Sequence, residues 1–139
     1  MAASHFRELE VWRLAMDLAK TVYQLSAGFP RDERFGLTAQ IRRAAVSVPS
    51  NIAEGNARHT TRDYARFIAI AAGSTAELQT QLLLAQELGF GQADLARGAL
   101  DLCERVSQML SKLHRALEHK LTSGYGSPDP GSRVPGPEQ

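Results

Sequence analysis

The chain has 139 residues, 43% hydrophobic and 22% charged, with sixteen basic residues set against fifteen acidic ones. Those values fit one globular domain with a sizeable core, and they exclude a strongly basic or acidic protein whose global charge alone would select its partner. The single Cys103 excludes an internal disulfide and a multi-cysteine zinc site, and no apolar run approaches the roughly 20 residues of a membrane-spanning helix. Met1–Arg7 carries no secretory pattern, so a cytoplasmic location is expected.

In chain order, Val11, Leu14, Ala15, Leu18, Val22 and Leu25 recur at helical spacing and predict a first helix over 9–26, stopped by Gly28 and Pro30. A charged turn, Arg31-Asp32-Glu33-Arg34, leads to a second helix over 36–57 with core face Leu37, Ile41, Ala44, Ala45, Val48 and Ile52. Pro49 lies inside it and is expected to bend it, having no backbone donor. Thr60 or Thr61 caps a third helix over 61–88, with Asp63 in its first turn, a stripe of Tyr64, Phe67, Ile68, Ala71, Leu78 and Leu82, and Gly89 as its end. Leu95, Ala99, Leu102, Val106, Met109, Leu110, Leu113 and Leu117 mark a fourth helix over 92–121, on whose apolar stripe Cys103 falls as a buried, inert thiol. The Gly/Ser/Pro-rich segment 122–139 has too little apolar surface to order itself and reads as a disordered tail. Four amphipathic helices with short connections, and no strand pattern, predict an all-α, antiparallel up-and-down four-helix bundle in residues 1–121.

Two helices carry more apolar surface than one bundle consumes. On the first, Trp12, Met16, Ala19 and Tyr23 form a second stripe about 100° from the core face. On the second, Ala39, Val46, Ser50, Ala53 and Ala57 form a back face of small residues, leaving Thr38, Arg42, Pro49 and Asn56 as its solvent-directed sector. Contiguous exposed aromatic surface marks a contact. Trp12, Met16, Tyr23, Ala39, Val46, Ser50, Ala53 and Ala57 are therefore the expected interface between copies of the chain.

A polar line, Gln40, Arg43, Ser47, Asn51, Glu54 and Arg58, stacks along the second helix, and Glu77 on the third can reach Arg43 if the two pack antiparallel. The line fits a hydrogen-bond network that sets helix register, or a binding site. The segment from Arg31 to Arg66 holds seven arginines against Asp32, Glu33, Glu54 and Asp63. Arg31, Arg34, Arg42, Arg58, Arg62 and Arg66 are thus candidate nucleic-acid contacts, especially if copied around a ring. Catalysis has less support: His5, His59, His114 and His119 lack metal-ligand spacing, Glu54 and Glu77 lack the Glu-x-x-His partners of a bundle metal site, and Gly55, Gly89 and Gly91 compose no phosphate loop. No enzyme activity, cofactor or metal is expected.

The segment 35–58, FGLTAQIRRAAVSVPSNIAEGNAR, together with Leu9-Glu10-Val11-Trp12 and Gly73-Ser74-Thr75-Ala76-Glu77-Leu78, resembles the signature of a four-helix-bundle family, the 23S rRNA intervening-sequence proteins, over about residues 6–121. The resemblance implies a bundle protomer in a closed homopentameric ring. A similar relative is the accessory protein of diversity-generating retroelements, a strongly basic pentameric barrel that binds its reverse transcriptase and nucleic acid, whereas this chain is nearly neutral. Two functions follow as expectations: a homo-oligomeric assembly scaffold, or an accessory protein that binds RNA or a nucleic-acid-handling protein through its arginine-rich surface.

Overall fold

The computed structural model describes residues 5–123, and all of its regular structure is helical. After a single 3-10 turn at Phe6–Glu8 come α1 (Glu10–Ser26), α2 (Leu37–Asn56), α3 (Thr61–Leu88) and α4 (Ala93–Ser123). They form an up-and-down four-helix bundle in which α1 and α3 each pack against α2 and α4. At about 1.5 Å per residue the helices are roughly 26, 30, 42 and 46 Å long. Thr122 and Ser123 belong to α4, where their hydroxyls donate to the carbonyls of Glu118 and Lys120. The rest of the segment read as a disordered tail lies outside the described residues.

Most positions picked out by the 3.6-residue period are buried: Val11, Ala15, Leu18, Val22 and Leu25 of α1, Ile41, Ala44, Ala45, Val48 and Ile52 of α2, Phe67, Ile68, Ala71, Leu78 and Leu82 of α3, and Ala99, Val106, Leu110 and Leu117 of α4, while Leu14, Leu37, Tyr64, Leu95, Leu102, Met109 and Leu113 are half-buried against this core. Local signals set the helix ends. Glu33 caps α2, its Oε1 accepting from Leu37 N at 3.0 Å. Thr60 caps α3 through its Oγ1, which accepts from Asp63 N at 3.1 Å, and Gly89 closes α3 at φ +73°, a left-handed conformation that glycine adopts without strain. The α1–α2 connection is tied down by Phe29, buried against Phe90 of the α3–α4 turn with ring centroids 5.7 Å apart.

Small residues let α2 and α3 approach closely. Ser47 Oγ and Ser74 Oγ lie 2.8 Å apart, and one turn on, Asn51 Nδ2 donates to the Ser47 carbonyl at 2.8 Å. One turn further, Gly55 is buried against Phe67 and Tyr64. α2 runs unbroken through Pro49, whose missing N–H leaves the Ala45 carbonyl without its helical donor.

Cys103 is fully buried on the core face of α4, and desolvation pushes its thiol up to about 12. The thiolate is the reactive form, so native protein should resist thiol reagents at pH 8 and label only as the bundle unfolds in urea. Because the folded thiol holds its proton above the pH at which the unfolded one releases it, stability is expected to fall as pH rises from about 9 towards 12. Rapid labelling without denaturant would contradict this burial.

Candidate functional site

The surface falls into an apolar part and a basic part. On α1, Met16 and Tyr23 are exposed while Trp12 and Ala19 are half-buried; Trp12 packs edge-on against Phe6 at 5.2 Å, so part of its surface is covered within the chain. On α2, Val46 (44% exposed), Ser50 and Ala57 face outward, with Ala39 and Ala53 half-buried. The expected solvent sector of α2 turns out differently. Pro49 is buried and Thr38, Arg42 and Asn56 are half-buried: Arg42 borders α1, its Nε donating to Ser26 Oγ at 2.7 Å with the guanidinium 4.6 Å from the Tyr23 ring centre, whereas Asn56 Nδ2 donates to the Tyr64 hydroxyl of α3 at 3.4 Å. Arginine takes this place because its aliphatic stem covers apolar surface while its head finds neutral acceptors. Val46, exposed, lies one turn beyond Arg42 on α2.

The larger surplus is on α3, where the sequence reading placed none. Ile70, Leu83, Leu84 and Leu88 are exposed by 41–53%, around Ala69, Gly73 and Ala76. A Cβ built on Gly73 meets nothing within 4 Å. The twenty residues Ala69–Leu88 include only two charges, Glu77 and Glu87, and that scarcity was the available signal for a helix apolar on both sides.

The polar line on α2 does not form one continuous network. Ser47 and Asn51 sit in the α2–α3 seam and take in Ser74, which sequence spacing had missed. Glu54 and Arg58 form an exposed ion pair at 2.9 Å. Gln40 and Arg43 face solvent, and Arg43 makes no ion pair with Glu77 among the described residues; the Glu77 carboxylate accepts instead from Nε2 of the buried Gln81 at 3.4 Å. Residues three and four apart drift around the helix, so the line meets α3 only at its middle.

The arginines separate into two groups because α2 holds its ends roughly 30 Å apart. Arg31, Arg34 and Arg42 line a groove of about 690 Å³ at the α1–α2 turn, with Ser26, Phe29 and Thr38. Arg58, Arg62 and Arg66 lie at the opposite end. There Arg58 pairs with Glu54 and Arg66 with Asp63 at 3.9 Å, both guanidinia flank the Phe67 ring, and Arg62 and Arg66 share a cavity of about 400 Å³ with His114 and Glu118.

Among the described residues no group of three or more His, Cys, Asp or Glu side chains could hold a metal ion, and no helix is long and apolar enough to cross a membrane. The profile of the 23S rRNA-intervening sequence proteins matches residues 7–112, most of the bundle. The chain belongs to that family. No curated protein matches it. Within this intervening-sequence protein the matched span takes in the groove at the α1–α2 turn, both arginine groups and the exposed face of α3, and it stops eleven residues short of the end of α4 at Ser123.

Proposed function

We propose that this intervening-sequence protein is a non-enzymatic, cytoplasmic scaffold that works as a homo-oligomer. The observation that carries the reading is the exposed face of α3, with Ile70, Leu83, Leu84 and Leu88 beyond anything the bundle's own core uses and Glu77 and Glu87 as the charges among them. A solitary chain would hold those leucines in water, whereas burying each contributes on the order of 1.5–3 kcal/mol. Met16 and Tyr23 on α1 and Val46 on α2 are further exposed apolar side chains on other helices. Two unlike surfaces on one protomer join head to tail, and such contacts close into rings when the rotation permits. The family resemblance makes five the expected number. Sedimentation equilibrium should give a mass near five times 15.2 kDa. A folded particle of one chain's mass at working concentrations would end the proposal.

A second reading, contact with RNA, is favoured by the concentration of arginine at the ends of α2. Affinity for ribosomal RNA fragments should then fall steeply as salt rises, because each phosphate contact releases counterions.

A further inference from the structure

We propose that the groove at the α1–α2 turn is a binding site for single-stranded nucleic acid, in which Arg31, Arg34 and Arg42 take phosphates while Phe35, outside the groove's lining and joined to it through Arg34, stacks on a base. The proposal rests on the RNA-contact reading and narrows it to one end of the molecule and one kind of strand.

Charge separates the two ends. None of Arg31, Arg34 and Arg42 forms an ion pair among the described residues, and no carboxylate lines their groove. The nearest acids in sequence are Asp32 and Glu33, and the Glu33 carboxylate is engaged in capping α2. At the opposite end Glu54, Asp63 and Glu118 answer the arginines and His114 directly. Arg42 is also held in place by neutral groups, Ser26 Oγ and the Tyr23 carbonyl at 3.4 Å, so its charge is positioned but not neutralised. A half-buried, immobilised arginine with no counter-charge supplies what an incoming anion lacks in water, a donor whose ordering cost is already met within the fold.

The anion's class follows from Phe35. It is 85% exposed, the most exposed large apolar side chain described, and Arg34 lies over its ring at 4.9 Å. Aromatic faces beside a basic groove are platforms for unpaired bases, worth a large factor in affinity and indifferent to sequence. A duplex keeps its bases stacked inside and offers Phe35 nothing, and an acidic peptide would use the arginines but leave the ring unused.

The test is fluorescence anisotropy with a labelled ten-nucleotide oligouridylate against the full chain. Phe35→Ala should weaken binding about tenfold or more, and its exposure means the fold should be untouched, as circular dichroism would verify. Arg31→Gln with Arg34→Gln should reduce the slope of log affinity against log salt by about 1.4, roughly 0.7 for each lost phosphate contact. Arg62→Gln with Arg66→Gln should leave affinity within about twofold. Unchanged affinity in Phe35→Ala, a blunt duplex bound as tightly as the single strand, or tighter binding of polyglutamate would overturn the proposal. If binding were lost only in the Arg62/Arg66 variant, RNA contact would stand and its assignment to this groove would fall. No binding of any RNA at low salt would remove both.

Discussion

Gly55→Leu should destabilise the bundle by about 3 kcal/mol or more, and Gly55→Ala by about 1–2 kcal/mol. A Cβ at this position would lie 2.9 Å from the Phe67 Cβ, 3.2 Å from Tyr64 Cδ1 and 3.3 Å from the Tyr64 carbonyl oxygen. Two of those neighbours are a backbone atom and the first atom of a buried side chain, which move only if α2 and α3 separate. Separation would stretch the 2.8 Å Ser47–Ser74 hydrogen bond two turns away. Ordinarily alanine in place of a helical glycine gains about 1 kcal/mol, so a loss at Gly55 measures steric conflict directly. Gly98, where a Cβ meets open space within 4 Å, is the matched control, and Gly98→Ala should show the ordinary gain. Urea midpoints at one protein concentration and unchanged m would test the pair. A stabilised Gly55→Ala would mean that α2 and α3 do not approach as closely as described.

The second large effect is expected on assembly. Ala53→Glu on α2 and Gly73→Arg on α3 should each reduce the particle towards 15.2 kDa while keeping most of the helical signal. An unpaired charge buried in an apolar contact costs roughly 3 kcal/mol or more, and each 1.4 kcal/mol is tenfold in affinity, so the dissociation constant should rise at least about 100-fold for Ala53→Glu, and by less for Gly73→Arg, whose guanidinium would lie one turn from Glu77. Gly73 is the cleaner site, since a side chain there disturbs nothing inside its own protomer. Trp12→Ala should also shrink the particle, but Trp12 packs on Phe6 and on the core and its loss will lower stability as well. Unchanged mass in light scattering for Ala53→Glu and Gly73→Arg would rule out these faces as the interface.

The fold was legible because its signals are strong and local. Leucine and valine at helical spacing, Thr60 before α3 and Gly89 after it, each have one physical meaning whatever surrounds them. The surfaces were harder to read. Pro49 and Arg42 looked solvent-directed by their place on the α2 wheel, yet Pro49 is buried and Arg42 is half-buried against α1, because an arginine stem can cover apolar surface while its head reaches neutral acceptors. The second apolar face of α3 is masked in the sequence by its first stripe: Leu83 and Leu84 directly follow the buried Leu82 but are exposed, as is Leu88. The arginines misled for the opposite reason. They are close along the chain, but a helix of 20 residues between two turns separates its ends as a rigid spacer does.

That separation gives the molecule a head and a tail. Any ring whose protomers all point the same way would have one rim carrying Phe35 and three arginines without ion pairs among the described residues, net positive even with Asp32 and Glu33 beside them, and another where acids and bases alternate. Two such discs could not stack through their cationic rims without repulsion between like charges, least of all in dilute buffer. Pairing tail to tail meets no such barrier, so double discs, if they form, should bury the neutral rim and leave both charged ones outermost.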